Sequence, residues 1–208
     1  MSTQDKINDV LPQLQCKQCG FGGCKPYAAA LAAKQTSIDR CLPGGVSTLR
    51  HIAGIVGEDA SIYEADLSQR AQPQMTAVIQ HDACIGCRKC IDACPQDAIV
   101  GAMNRNHAIL SSACHGCGLC VPACPMDCVS LVKVNMPVSQ AVMAPLHRQR
   151  HEQLQKRIAS SNAQKAKVHA QAKQQGANTK VTKRNRLLYI QEARQRLQGR
   201  SDEQAATD

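Results

Sequence analysis

Short runs of apolar residues, each bounded by polar residues or glycine, recur through the middle of this 208-residue chain. Runs of this length that are rich in Val and Ile are typical of β-strands. They predict short strands at residues 75–80, 98–100, 107–110 and 129–132. The middle of the chain is therefore expected to contain a small amount of sheet.

Helical patterns lie on the N-terminal side of these strands. After Cys24, Pro26 stands where the first turn of a helix favours proline, and strong helix formers follow it. Across residues 44–58, apolar residues recur at helical spacing and predict an amphipathic core helix. Each Cys-Pro pair, at 94–95 and 124–125, is predicted to end a helix of one or two turns, because the residue before proline is pushed out of helical geometry.

The composition changes the picture of the core. The chain has no Trp, one Phe and three Tyr, although large aromatic rings usually dominate the burial of apolar surface. Its thirteen cysteines are the predicted source of the missing stability. We find no signal peptide and no apolar stretch of the roughly 18 to 20 residues that a membrane span needs. We therefore expect a cytoplasmic protein whose thiols stay reduced and bind metal instead of forming disulfides.

Nine of these cysteines lie in an internal repeat with a period of 30 residues, in which "ACIGCRKCIDACPQDA" from residue 83 aligns with "ACHGCGLCVPACPMDC" from residue 113. The spacing Cys-x2-Cys-x2-Cys-x3-Cys-Pro is typical of two-cluster ferredoxins, in which the fourth cysteine of each run binds the other cluster. Zinc knuckles explain this triple spacing poorly. The prediction is one [4Fe–4S] cluster on set A (Cys84, Cys87, Cys90 and Cys124) and a second on set B (Cys94, Cys114, Cys117 and Cys120).

The repeat leaves one cysteine over. Cys128 aligns with Ala98 of the first repeat, which favours a small buried residue over a ligand or a reactive thiol. Histidines 81, 107 and 115 lie near the cysteines, but none is needed as a ligand when twelve thiolates already match three clusters.

A separate group of cysteines, the N-terminal set, comprises Cys16, Cys19, Cys24 and Cys41. Four thiolates with no local histidine fit a third [4Fe–4S] cluster. Glycines at 20, 22 and 23 would let backbone N–H groups approach the sulfurs closely. From spacing alone, a zinc site remains the alternative at this set.

Recognisable catalytic motifs are missing from the sequence: we find no Ser/His/Asp arrangement, phosphate-binding loop, dinucleotide fingerprint or HExxH pair. The sequence therefore predicts an electron carrier or redox subunit with no substrate-transforming site of its own, and it identifies no small-molecule substrate. It predicts an electron carrier that accepts and releases single electrons.

Several motifs carry a family resemblance: "VLPQLQCKQCGFGGCKPYAAAL", "RCLPGG", "CIGCRKCIDACPQDAIVGA" and "CHGCGLCVPACPMDCVSL". Over about residues 5–133 the chain resembles the B subunit of the Rnf (Rsx) ion-translocating electron-transport complex. The resemblance implies a cluster on the N-terminal set, three clusters in total, and partners that are flavoproteins, iron–sulfur proteins or membrane Rnf subunits. Family members usually begin with a membrane anchor, whereas the residues before Cys16 form no span, so we expect a soluble relative without that anchor.

Charge separates the last part of the chain from the rest. Residues 1–145 hold eleven Lys and Arg against eleven Asp and Glu, whereas residues 146–208 hold fourteen against five. A basic tail of this kind is predicted to be helical or partly disordered. It is either a solvated extension, a peripheral contact with the anionic inner face of the cell membrane, or a phosphate-binding contact with nucleic acid. The last choice leads to the alternative function, a metal-stabilised interaction protein.

These features predict an α+β protein. Residues 1–58 are expected to form a small α-helical [4Fe–4S] module, 59–74 a linker, 75–135 a two-cluster ferredoxin-like module and 136–208 the basic tail.

Overall fold

Four helices form the N-terminal part of the protein in a computed structural model that describes residues 1–134, 142–178 and 188–193. They are α1 (Thr3–Val10), α2 (Cys24–Ala32), α3 (Gly45–Val56) and α4 (Ser61–Gln69). The predictions of α2 and α3 are confirmed. Helix α1 begins with a capping box, in which the Ser2 hydroxyl and the Asp5 carboxylate each accept a backbone N–H from the other residue at 3.1 Å.

The four helices enclose an apolar core with a single buried ring. Tyr27 is almost fully buried, and its hydroxyl donates to the Ser37 carbonyl at 3.1 Å and accepts the Arg40 N–H at 3.3 Å. The buried members of this core are Ile7, Leu11, Tyr27, Ala28, Leu31, Ile38, Leu49, Ile52, Ala53 and Leu67.

Part of the predicted linker packs with this N-terminal module. Leu67 of α4 lies in the apolar core, and Glu64 pairs with Arg50 of α3 at 2.7 Å. The boundaries of the modules stay predictions, but α4 shows that residues 61–69 are helical and not extended.

Two small antiparallel sheets follow. Strands β1 (Met75–Ile79) and β4 (Val129–Lys133) pair with Ile79 opposite Val129, and β2 (Ile99–Val100) and β3 (Ala108–Ile109) pair with Ile99 opposite Ile109. All four predicted strands are confirmed to within a few residues. Because β1 precedes the first cysteine run and β4 follows the second, their pairing brings the two repeats together.

The two cysteine runs differ in their helical content. Helix α5 (Lys89–Ala93) ends before Cys94 as predicted, whereas residues 119–123 of the second repeat form turns. In α5 the Asp92 N–H donates to the Arg88 carbonyl at 3.1 Å. Pro122 stands in the aligned position and has no N–H, so this bond is lost and the predicted second helix is not formed.

Contacts divide the chain into two units, Met1–Arg157 and Ile158–Asp208. Helix α6 (Ala144–Asn178) contributes its first turns to the first unit, where Arg148 pairs with Asp9 at 2.7 Å and Arg157 pairs with Asp97 at 2.6 Å. Residues 188–193 of the second unit are helical. Part of the predicted tail is therefore helix, and its residues 136–141, 179–187 and 194–208 lie outside the described residues.

In the described part of the chain, no helix combines the length and the apolar character that a membrane crossing requires.

Candidate metal centres

Set B lines a cavity together with Ala77, Ala98 and Gly116. Gly116 has a φ of +67°, and a Cβ added there would lie 2.2 Å from the Met75 carbonyl oxygen. Only glycine therefore allows the second cysteine loop to approach β1 this closely. In this cavity, Cys94 of the first repeat lies together with three cysteines of the second.

Set A lines a second cavity together with His107 and Cys128. A glycine also lets the first cysteine loop approach another part of the chain. Gly86 has a φ of +69°, and an added Cβ would lie 2.4 Å from the Arg105 backbone nitrogen. Here three cysteines come from the first repeat and Cys124 from the second. The two cavities thus have the crossed composition that the spacing predicts, and the ligand sets themselves remain predictions.

Hydrogen-bond donors surround the sulfurs of both sets. In set B, the backbone N–H groups of Ala77 and Ala98 donate to the sulfurs of Cys114 and Cys94, both at 3.3 Å. In set A, His107 Nδ1 lies 3.2 Å from Cys90 Sγ, and Cys128 Sγ lies 3.3 Å from Cys124 Sγ.

Burial changes the acidity of the thiols. It raises the pKa of Cys117 to about 12 and that of Cys120 to about 11, with smaller contributions from neighbouring thiolates. Without metal these thiols keep their protons at neutral pH, and binding of a metal group must displace them. At these two positions of set B, the thiols are therefore neutral until a metal group binds.

The donor sets fit iron–sulfur clusters. Each cavity offers four thiols, the ligand type that holds such clusters in proteins. Within the described residues, no three His, Cys, Asp or Glu side chains converge closely enough to hold one metal ion.

The N-terminal set lies at the edge of the helical core, against which Cys19, Cys24 and Cys41 pack. Burial raises the pKa of Cys24 to about 11, and the nearby thiolates of Cys16 and Cys19 add to this shift. Burial also raises the pKa of Cys41, again with a contribution from Cys24. The four thiols are thus neighbours, brought together by the loop before α2 and the turn before α3.

Two of the three glycines in this loop have a backbone conformation that favours glycine. Gly20 and Gly23 have φ values of +85° and +158°, whereas Gly22 has no positive φ and open space around its Cα. The Gln15 side chain occupies the space beside Gly23 and accepts the Cys24 N–H at 2.9 Å. The approach of backbone N–H groups to a bound cluster stays a prediction.

Thiols of different sets also affect one another. The Cys16 thiolate contributes to the raised pKa of Cys117, which makes the N-terminal set a neighbour of set B. The Cys90 thiolate contributes to the raised pKa of Cys120, which makes set A the other neighbour of set B. Set B is therefore close to both other sets.

His107 is the contributor that sequence reasoning missed. It was expected to have no ligand role, and the structure places its ring beside Cys90 with the side chain 1% exposed. The sequence does contain a signal for it. At the 30-residue period, His107 aligns with Ala77, so the two repeats differ at this position.

Comparison with known proteins agrees with this geometry. Residues 77–131 match the family model described as "4Fe-4S dicluster domain", and residues 11–43 match the one described as "Putative Fe-S cluster". Fold and site together define an iron–sulfur protein of mixed helix and small sheet.

Individual relatives are more specific. Proteins named as the B subunit of the ion-translocating oxidoreductase complex match from Klebsiella pneumoniae (52% identity; 62% of this chain, 68% of the relative) and Alkalilimnicola ehrlichii (46%; 65% and 73%). One from Shigella dysenteriae matches at 48% identity, over 62% of this chain and 68% of the relative. The chain belongs to this family, the B subunits of the ion-translocating oxidoreductase complex. It is an iron–sulfur electron-transfer protein, as the resemblance implied, and none of these matches supports the nucleic-acid alternative.

Proposed function

We propose that the chain carries single electrons through three [4Fe–4S] clusters, held by the N-terminal set, set B and set A in that spatial order. The observation that carries this proposal is the pair of cavities, each lined by three thiols of one repeat and one of the other. When bound, each cluster supplies a centre that accepts or gives up one electron.

The residues of the chain have two tasks in this function. The thiolates hold the clusters at fixed positions, with set B close to both other sets. The surrounding apolar residues keep water away from the sulfurs: Ile99 and Val129, each 3% exposed, pack in the same core as Cys90 and Cys120. Fixed positions and restricted water access together favour transfer between clusters over loss of electrons to solvent.

The third cluster rests on the N-terminal set. Its support is the match of residues 11–43 to an iron–sulfur family model and the clustering of four thiols beside the helical core. Zinc analysis of the anaerobically purified protein distinguishes the zinc alternative at this set from a cluster.

The partner is proposed to meet the protein near set A. Ile85 and Met126 line the cavity of set A and are 54% and 46% exposed, so little protein separates this set from solvent. Beside set B, in contrast, His115 packs against His147 of α6 with ring centroids 5.6 Å apart, so this helix covers part of that side. Electron exchange with another protein is therefore easiest at the set A end.

The relatives are named as subunits of an ion-translocating oxidoreductase complex. We propose that other subunits of such a complex, flavoprotein or iron–sulfur in type, are the electron donor and acceptor. Attachment to the membrane is then peripheral, through those subunits. Recovery of the chain without any of them from gently solubilised membranes would argue against this arrangement.

A count of electrons tests the relay. Coulometric reduction of the anaerobically purified protein is expected to take up about three electrons per chain, because each of three cubane clusters accepts one. A preparation that accepts no electrons would contradict the proposed function.

A further inference from the structure

The two cavities of the repeat differ at positions that the 30-residue period makes equivalent. Ala77 and Ala98 line the cavity of set B. At the equivalent positions, His107 and Cys128 line the cavity of set A. Each alanine beside one proposed cluster is thus replaced by a polar side chain beside the other.

His107 is aimed at a ligand sulfur. Its Nδ1 lies 3.2 Å from Cys90 Sγ, and its Nε2 is buried with no partner within the described residues. An iron-bound thiolate carries no proton and can only accept, so Nδ1 must be the protonated nitrogen and must donate. The chain makes room for the ring with Gly101, where an added Cβ would lie 2.3 Å from His107 Cδ2.

Cys128 makes the second contact of this kind. Its thiol is 5% exposed and its Sγ lies 3.3 Å from Cys124 Sγ. When Cys124 is bound as a thiolate, the S–H of Cys128 is the donor by the same argument. The prediction that Cys128 is a small buried residue is compatible with this, since a thiol also fills the place of Ala98.

The polar groups around set B do not supply side-chain donors equivalent to these two. Backbone N–H groups donate to sulfurs of set B, but Cys124 of set A also accepts backbone N–H bonds. Gln96 and His115 lie at the cavity of set B, yet the Gln96 amide donates to the Gln13 carbonyl at 3.1 Å. His115 packs against the His147 ring. Within the described residues, side-chain donors to the proposed ligand sulfurs are found at set A alone.

We propose that His107 and Cys128 raise the reduction potential of the cluster on set A above that of the cluster on set B. Hydrogen bonds to ligand sulfurs stabilise the added negative charge of a reduced cluster, and potentials of such clusters respond to them. Transfer of an electron from the cluster on set B to the cluster on set A is then thermodynamically favourable. This inference rests on the proposed function, because it needs clusters on both sets. Of the two clusters of the repeat, the one on set A is then the more easily reduced.

Anaerobic redox titration of the full holoprotein, followed by EPR, tests the inference with paired variants. His107→Leu and Cys128→Ala each remove a donor, and both are expected to lower the same midpoint potential. The expected shift corresponds to about a tenfold change in the electron equilibrium between the clusters, or about 59 mV for a one-electron couple. His107→Asn and Cys128→Ser keep a donor near the same place and should retain most of the original midpoint.

A reciprocal variant identifies the other cluster. Ala98→Ser places a hydroxyl beside Cys94 and should raise the midpoint of set B. The inference holds if the midpoint moved by Cys128→Ala lies above the one moved by Ala98→Ser in the unmodified protein. It is overturned if that order is reversed, or if His107→Leu and Cys128→Ala move different midpoints or none.

Two further outcomes are separable from these. If His107→Leu fails to fold, the Cys128 and Ala98 variants decide the question alone. If the unmodified protein contains no reducible clusters, the proposed function fails first, and iron and sulfide analysis of that same sample shows it.

Discussion

Replacing Cys94 with alanine is expected to remove the cluster bound by set B, although Cys94 belongs to the cysteine run of the first repeat. The reason is the composition of the cavity, which Cys94 shares with three cysteines of the second repeat. The iron content should fall from about twelve to about eight atoms per chain, because one cubane of three is lost. Iron analysis and quantitative EPR of anaerobically purified protein measure the change.

Double variants separate crossed from local ligand sets. Combining Cys94→Ala with Cys117→Ala should leave about eight iron atoms, since both cysteines are assigned to one cluster. Combining Cys94→Ala with Cys84→Ala should leave about four, since the two cysteines are assigned to different clusters. The reverse pattern would show that each run binds its own cluster. Cys128→Ala, which removes a thiol outside the sets, is the control and should keep the full iron content.

Removing iron is expected to unfold the part of the protein that holds sets A and B while the N-terminal helices persist. The buried core around these sets has seven members, of which four are cysteines. The N-terminal core has ten buried members, none of them a cysteine. Three of these cysteines are proposed ligands, and a core that depends on them is expected to lose its packing when the metal is removed, because metal binding and folding are coupled in such sites.

Amide hydrogen exchange on chelator-treated protein, kept reducing and anaerobic, measures this difference. Protection should be lost in β1 and β4 and retained in α1 and α3. Tyr27 is a convenient reporter of the helical core, because its buried hydroxyl bonds Ser37 and Arg40. Equal protection of β1 and β4 before and after chelation would show that the fold does not depend on metal.

Strands and helices are predicted well where the spacing of apolar residues within one segment determines them. The apolar runs beside the cysteines predict the four strands, and the spacing of apolar residues across 44–58 predicts α3. The helix before Cys124 is the exception, because Pro122 removes a donor that a repeat-based argument assumed to be present. The helix α4 was also missed, since its packing through Leu67 depends on the core of the other three helices.

For the site, spacing predicts which thiols belong together but not what surrounds them. The crossed sets follow from the geometry of ferredoxin-type runs, and the two cavities have that composition. The contact of His107 with Cys90 joins residues 17 positions apart and depends on how β3 lies beside the first cysteine loop. The place of Cys128 beside Cys124, in contrast, could be suspected from its alignment with buried Ala98.

The most direct test of the central claim is a chemical analysis of the protein purified without oxygen. We expect about twelve iron atoms and about twelve acid-labile sulfides per chain, with no zinc, because twelve thiolates would hold three cubane clusters. Zinc without sulfide would rule out iron–sulfur clusters at all three sets. About eight iron atoms with one zinc ion would rule out a cluster at the N-terminal set.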